Sequence, residues 1–572
     1  MNKHHPYHPI IYVRGFAATH DEIEETVGDP YMGFNLGSTK SRQVWDGKMR
    51  KFFFESPIVR LKDEIVWIRD ARGARKRSDR RYDDVYVNGD DLTAPDPKNP
   101  TKPLLPDIAL PYQSIAIFRY YDEASETFGT GDTPPIEHFA QRLSELILRM
   151  RELVCRPGKD PITGDQLDNE VTPEDFRCYL IAHSMGGLIC RAFLQNQKLG
   201  DSKARRAVDK VFTYATPHNG IDLRIVRNVP AWATFGDANN FNRQRMSEYL
   251  DNKDNKVPRA VSTDELDVSI VTGGFSPRRI FNLVGTNPAD YLVMRGISAW
   301  AAGESSDGLV RIQNATTHGP VESDGSYVRS PRAFAHRSHS GQYGIVNSEE
   351  GYQNLTRFLF GALRIDGFLD IDELTLPDEV QEALDKGHEV RASYHFEIVA
   401  SVRGVQWQMH RRTVRENSAI HRTYDELFPK QKNGKRQPDR EHSPHLFSVF
   451  LDPSKSVRDD QPMKKRSVSF AFDLAVLVPD YEVDRVLWLD RHYEGGYIYG
   501  ELIVVEATPD PKIKGGWRIT YGFQKDTPNA APNPIETTSL PDTDGIQFQI
   551  PIVQEKRPGI RATLRLEARS WT

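Results

Sequence analysis

The stretch CYLIAHSMGGLICRAFL, residues 178–194, sets a polar Ala-His-Ser-Met-Gly-Gly knot between two apolar flanks. The upstream flank is a short apolar run of the kind that is buried on both faces of a parallel sheet, and the downstream flank has helical spacing. Strand, small-x-Ser-x-Gly and helix, in that order, make a nucleophile elbow, a tight turn that lifts Ser184 above the sheet edge. Small residues are needed at Ala182 and Gly186, because the turn strains the serine backbone and brings the helix close to the strand. Ala182 stands where such elbows usually carry a first glycine. Read without its surroundings, the same knot is a serine at an ordinary strand-to-helix turn.

The surrounding sequence extends the pattern in both directions. Apolar runs at 9–16 (PIIYVRGF), 114–121 (SIAIFRYY), 176–184 (FRCYLIAHS), 210–217 (KVFTYATP) and 279–286 (RRIFNLVGT) read as buried strands. Between the second and third, Phe139, Leu143, Leu146, Ile147 and Met150 recur at helical spacing behind Pro134 and Pro135. This alternation predicts an α/β fold, a mostly parallel sheet flanked by helices, over residues 1–370. After about residue 374 the texture changes. Segments 391–409, 467–478, 495–508, 516–523 and 562–568 alternate apolar and polar positions and are rich in β-branched and aromatic residues, which predicts an all-β, sandwich-like domain over 390–572. Residues 371–389 read as a linker, and Trp407, Trp488, Trp517 and Tyr497 are expected mostly in the core of the β-domain.

Bulk properties narrow the function classes. A chain of 572 residues exceeds one ordinary core, and 38% hydrophobic with 27% charged residues is the balance of a soluble globular protein. With 75 basic against 80 acidic residues, the net charge of -5 gives no global attraction for nucleic acid or anionic lipid. The densest basic run, RGARKRSDRR at 72–81, reads as a solvated loop, with contact to an anionic partner as the alternative. Cys155, Cys178 and Cys190 are odd in number and lie in or beside apolar segments, which argues against a disulfide framework and for a reducing compartment. No signal-peptide pattern and no run long enough to span a bilayer is readable, so a cytoplasmic location is expected, with signal-less secretion as a bacterial effector the alternative. The histidines of HHPYH, 4–8, read as frayed terminus rather than a metal site, and no metal or cofactor is expected.

A serine nucleophile needs an oxyanion hole, a general base and an acid, and three stretches offer them in the chain order that suits an elbow. Arg14-Gly15-Phe16 ends the first strand, so the Phe16 amide, with that of Met185 directly after the serine, would hold an oxyanion. In SSDGLVRIQN, Asp307 precedes Gly308 where a strand-end carboxylate would orient an imidazole; Asp290 and Asp324 are the fallbacks, and a turn aspartate is the plain reading. In AFAHRSHSGQYG, both His336 and His339 precede an amphipathic helix carrying Tyr352, Leu355, Phe358 and Leu359. His339 is the preferred base and His336 the fallback, with His318 third because it follows Asp307 so closely.

Together, RGF, AHSMGGL, VFTYATPHNG, SDGLV and SHSG resemble the serine lipases and esterases of the α/β-hydrolase fold, especially the branch with HSMGG elbows that includes triacylglycerol lipases and PGAP1-like acyl hydrolases. The resemblance covers roughly residues 9–363 and not the C-terminal domain. It implies carboxylic-ester hydrolysis through an acyl-enzyme, on an ester or lipid substrate, phospholipid or acylglycerol among them. It also implies that His183, Gly186 and His218 lie near the active site without being the base. Two departures stand out: Arg14 occupies a place where many lipases have histidine, and the insertion at 28–110 is unusually long. A second insertion, 221–276, carries Val226, Val229, Trp232, Phe235 and Phe241; the resemblance implies a lid there, and permanent packing on the core is the alternative. A membrane or lipid surface met through the lid and β-domain is the expected partner, and nucleic acid is not. An acyltransferase on the same fold, or a non-catalytic scaffold whose β-domain binds a partner, are the rival functions.

Overall fold

The computed structural model describes residues 6–571 apart from 16–19, 44–47, 64–65, 70–74, 79–81, 83–84, 88–94, 104, 128–129, 131–133, 222–239, 253–265, 290–304, 322–326, 432–433, 441–442, 453–466, 485–490, 511, 513–516, 525–532 and 541–544. The chain divides into two compact units. The first is built from Met1–Asp70, Ala74–Arg332 and Arg337–Leu359, and the second chiefly from Phe360–Thr572.

The chain carries a seven-stranded sheet of strands β1 (Ile10–Val13), β2 (Val85–Val87), β3 (Ile115–Phe118), β4 (Cys178–His183), β5 (Val208–Tyr214), β6 (Ile280–Gly285) and β7 (Arg332–Ala335), in the order β7-β6-β5-β4-β1-β3-β2, and strands β1 to β6 organise the first unit. The β1–β4, β1–β3, β4–β5, β5–β6 and β2–β3 pairings are all parallel. Every residue of β1, β3, β4 and β6 is buried, as sequence runs without polar alternation require. The register sets Val13 beside Ala182, Ala182 beside Thr213 and Tyr214 beside Leu283, so the carboxyl ends of four strands finish level with one another. Loops leaving such an edge converge, which is where open α/β sheets carry their sites.

Helix α1 (Ile136–Val154) buries Phe139, Leu143, Leu146, Ile147 and Met150 along one face, and α2 (Met185–Gln195), which is buried along its whole length, packs against it. Five of the seven strands coincide with the apolar runs read from sequence. The other two, β2 and β7, are edge strands of three and four residues, too short to show periodicity. His8 departs from the frayed terminus expected of it: it is buried, with Nδ1 2.7 Å from the Tyr112 hydroxyl.

The second unit is a pair of antiparallel sheets over a common core. One runs His445–Leu451, Leu363–Thr375, Gly559–Ser570, Ile546–Gln554, Thr537–Ser539; the other is built on Val390–Val402, Val468–Val483, Arg491–Pro509 and Trp517–Phe523. Leu369, Phe447, Ile550 and Leu564 from the first meet Phe396, Ile398, Phe472, Leu474 and Ile503 from the second. The alternation of Val390–Val402, buried at every second residue, is the period-2 signal seen in the sequence. Residues 371–389 are not a bare linker. They hold the end of Leu363–Thr375 and the helix Asp378–Asp385, whose Val380 and Ala383 enter the same core behind Leu376. Of the aromatics expected in this core, Trp407 is buried, Trp517 packs against it partly buried, Tyr497 is exposed, and Trp488 lies outside the described residues. A mostly parallel sheet flanked by helices, followed along the chain by an all-β domain, is the α/β architecture expected from the sequence. Among the described residues, no helix is long and apolar enough to cross a membrane.

One buried charge in β5 yields a direct test of this packing. Lys210 is fully buried and donates from Nζ to the Leu359 carbonyl at 3.0 Å. Burial pushes its pKa down to about 7, with neighbouring Asp209 opposing the shift and Arg279 adding to it. Between that value and the ordinary lysine range the unfolded chain holds a proton that the folded chain has released, so stability rises with pH across this window, by at most about 1.4 kcal/mol per pH unit. Urea midpoints measured from pH 7 to 10 are expected to climb in the wild type and to climb less in Lys210→Met. Equal slopes in the two proteins would refute the assignment.

Candidate active site

The turn between β4 and α2 places Ser184 at φ 50 and ψ -123, a conformation that side-chain-bearing residues rarely adopt. The sheet holds it there: the Ser184 amide donates to the Tyr214 carbonyl at the end of β5, 2.9 Å away. Two glycines make room. A Cβ on Gly15 would stand 2.6 Å from Ser184 Cβ, and one on Gly186 would run into the Val13 and Arg14 carbonyls. The small residue at Gly186 is therefore required by the crossing of α2 over the end of β1, and Gly15 by the serine itself. Gly187 is pressed in the same way by the Thr216 side chain, which brings the Thr-Pro-His loop onto the first turn of α2.

Asp307 and His339 complete a linear hydrogen-bonded chain. His339 Nε2 lies 3.0 Å from Ser184 Oγ, and His339 Nδ1 lies 2.9 Å from Asp307 Oδ2. The other carboxylate oxygen accepts from the Leu309 and Val310 amides at 3.0 and 2.7 Å, which fixes the carboxylate plane. With Asp307 as acceptor, Nδ1 carries the proton and Nε2 is left to accept from the serine hydroxyl. All three residues are at most 3% exposed. Both loops crowd the end of β6, where a Cβ on Gly285 would stand 2.7 Å from Asp307 Cβ and from the Arg337 carbonyl.

The backbone of His339 is clamped on both sides. Its amide donates to the Asp307 carbonyl at 2.9 Å, and its carbonyl faces His183 Nε2 at 3.0 Å. Burial, then the nearby His339 ring and Arg14, hold the His183 pKa well below the usual histidine value, so it is a neutral donor. Behind the loop, fully buried Arg337 bonds Glu350 through Nε and Nη2 at 3.1 and 2.9 Å and donates to the Thr39 carbonyl at 2.8 Å.

The first-strand loop is fixed by Tyr120, whose hydroxyl donates to the Arg14 and Gly15 carbonyls at 2.8 and 3.1 Å. Arg14 reaches back to the Met32 carbonyl at 2.9 Å, tying this loop to the start of the long insertion. Phe16 lies outside the described residues. Met185 is the first residue of α2, so its amide is one of the helix's unpaired N-terminal donors and follows the serine directly. His218 is buried, with Nε2 3.2 Å from the Thr213 hydroxyl.

The fallback residues lie elsewhere. His336 faces Glu416 at 3.7 Å within the second unit, and His318 pairs with Asp267 at 2.9 Å. Asp290 and Asp324 are outside the described residues, as are Val226, Val229, Trp232 and Phe235 of the expected lid; Phe241 is buried. Sequence reasoning missed Tyr120, Gly285, Arg337 and Glu350. The one available signal was an arginine set between two histidines in the loop that leads to the amphipathic helix. Away from the site, Asp480, Glu482 and His492 of the second unit bring ligand-type atoms within 4.8 Å of one another, with the histidine exposed.

No protein-family model matches the chain, and no curated protein matches it. Among solved structures it is similar to the crystal structure of the Bacillus licheniformis lipase BlEst2 in its propeptide form. That likeness has 11% identity and a TM-score of 0.26, and covers 89% of this chain and 96% of that one.

The collision between Gly15 and Ser184 can be measured. Gly15→Ala is expected to cost about 1–3 kcal/mol in urea unfolding, as overpacking does. In a Ser184→Gly background, where the opposing Cβ is gone, the same change should cost less, giving a coupling of about 1 kcal/mol in the double-mutant cycle. Additive costs would show that the two residues do not meet as described.

Proposed function

We propose that the chain is a serine carboxylic-ester hydrolase of the lipase and esterase kind. One observation carries the reading: a buried serine oxygen 3.0 Å from an imidazole nitrogen whose other nitrogen is 2.9 Å from a buried carboxylate. In the proposed cycle His339 Nε2 takes the Ser184 proton as Oγ attacks the ester carbonyl carbon, and Asp307 stabilises the imidazolium. The oxyanion is held by the Met185 amide, with the Phe16 amide the proposed second donor. Collapse breaks the ester C–O bond, the imidazolium proton goes to the leaving alcohol, and an acyl-serine remains. Water then repeats the sequence, delivering its proton to His339 and releasing the acid and free serine.

The motif order RGF, AHSMGGL, ATPHNG, SDGLV and SHSG supports placing the chain with the HSMGG-elbow lipases. An ester with an apolar acyl chain is the proposed substrate class, phospholipid included, and the chemistry asks for no metal or cofactor.

Hydrolysis of p-nitrophenyl esters from acetate to palmitate tests this. The wild type is expected to turn over, Ser184→Ala to lose on the order of a millionfold in kcat, and Asp307→Asn about ten-thousandfold. The chain-length profile separates a lipase from a short-ester esterase. A folded wild type inert on every ester would sink the hydrolase reading, as would a Ser184→Ala protein that keeps its rate.

A further inference from the structure

The long insertion supplies a feature that ester hydrolysis itself does not use. Residues Ser38–Gln43 and Met49–Phe54 pair as an antiparallel hairpin, with Thr39 opposite Phe53 and Gln43 opposite Met49. Met49, Lys51 and Phe53 alternate along one side of its second strand, and all three are exposed: Met49 by 65% and Phe53 by 75%. Just before the hairpin, Leu36 is 59% exposed, and Gly37 packs against the Phe54 carbonyl, which brings Leu36 to the same end as Phe53. Four of the nine large apolar residues that stand exposed among the described residues, Leu36, Met49, Phe53 and Val59, fall within this one stretch of 24 residues, 36–59. Singly exposed apolar side chains need no explanation, but a local concentration of them does.

Charge narrows the occupant. Residues 38–54 carry five basic side chains, Lys40, Arg42, Lys48, Arg50 and Lys51, against one acidic, Asp46, in a chain whose net charge is -5. Lys40 is engaged by Glu350, and Lys51 is exposed between Met49 and Phe53. Basic and apolar residues interleaved on an exposed strand suit a surface with an anionic outer layer and an apolar interior. They do not suit an apolar protein groove, which would leave the lysines buried without partners.

The hairpin is also bonded to the loop that carries His339. Thr39 donates from its amide to the Gln342 carbonyl at 3.1 Å, its carbonyl accepts from Arg337 at 2.8 Å, and Lys40 pairs with Glu350. The first strand of the hairpin therefore backs the histidine loop.

We propose that the strand Met49–Phe54 of this hairpin docks the protein on an anionic phospholipid surface, with Phe53 and Met49 entering the apolar layer and Lys51 meeting the headgroups. This attachment is independent of the chemistry at Ser184. It is tested in the full chain carrying Ser184→Ala, so that turnover cannot alter the lipid, by cosedimentation with vesicles of phosphatidylcholine alone or with added phosphatidylglycerol. Expected results are binding that is stronger on the anionic vesicles and weakened by salt, a loss of tenfold or more in Met49→Ser/Phe53→Ser, and a loss of about fivefold in Lys51→Gln on anionic vesicles only. These side chains are exposed, so the variants should melt like the parent and, with Ser184 restored, hydrolyse a soluble ester at the parent rate. Failure of the parent to bind either vesicle overturns the proposal. So does unchanged binding by Met49→Ser/Phe53→Ser, which would move the contact to another surface, or equal binding to both vesicle types. An inactive wild type that still binds vesicles would overturn the hydrolase reading and leave this one standing.

Discussion

The first unit depends on a steric constraint: three strand ends and the first turn of a helix meet within van der Waals distance of one serine. Ser184 occupies a strained backbone position because β4 must reverse into α2 with no intervening loop, and the Tyr214 carbonyl accepts its amide at the turn. The strain persists because its neighbours over-determine it. Gly15 and Gly186 let β1 pass beneath the turn, Gly187 admits Thr216, and Gly285 lets the Asp307 and His339 loops close over the next strand. A methyl group at any of these places would push apart elements that are buried throughout, and a close-packed interior has little room to absorb it.

The elbow fixes only one member of the hydrogen-bonded chain, so the other two need their own supports. Asp307 is held by two amides from its own turn, and His339 by backbone bonds to Asp307 and His183. The Arg337–Glu350 pair behind the loop is almost wholly buried, and such a pair gains little net stability over an apolar substitute. Its geometry is more informative. Nε and Nη2 of Arg337 meet one Glu350 oxygen, Nη1 meets the Thr39 carbonyl, and Lys40 meets the remaining carboxylate oxygen. The arrangement joins the distant segment 38–43 to 337–342 and the start of Glu349–Phe360, and so specifies how they sit around the base.

What the sequence made legible follows from periodicity. Fully apolar runs announced β1, β3, β4, β5 and β6, and strict alternation announced the long strands of the sandwich, because burial on two faces and on one face leave different patterns. Ser184, Asp307 and His339 were readable as types in a chain order, and the structure brings those three together. Strands β2 and β7 were not readable, because three or four residues at a sheet edge carry no period. Leu363–Thr375 was missed in part because its second half, DIDELT, is acidic on the side away from the core, and Asp370 there pairs with Arg565. His8, Arg337 and Glu350 were missed for a common reason: a buried polar side chain is identified by its partner, and Tyr112, Thr39 and Lys40 lie about 100 to 300 residues away in sequence.

His183 shows how burial at the elbow serves more than packing. It donates to the His339 carbonyl, and its ring centre lies 4.9 Å from that of His339. In the proposed cycle His339 becomes a cation, and a second cation at that distance in a poorly hydrated site would oppose it strongly. Burial keeps His183 neutral well below the usual histidine range, so it can hold the base loop in place without competing for the proton. A lysine or arginine at this position would provide a donor but would carry the opposing charge. An aliphatic residue would avoid the charge but leave the His339 carbonyl without this partner. A neutral imidazole satisfies both requirements, and the same dense crossing of strands that strains Ser184 is what keeps it neutral.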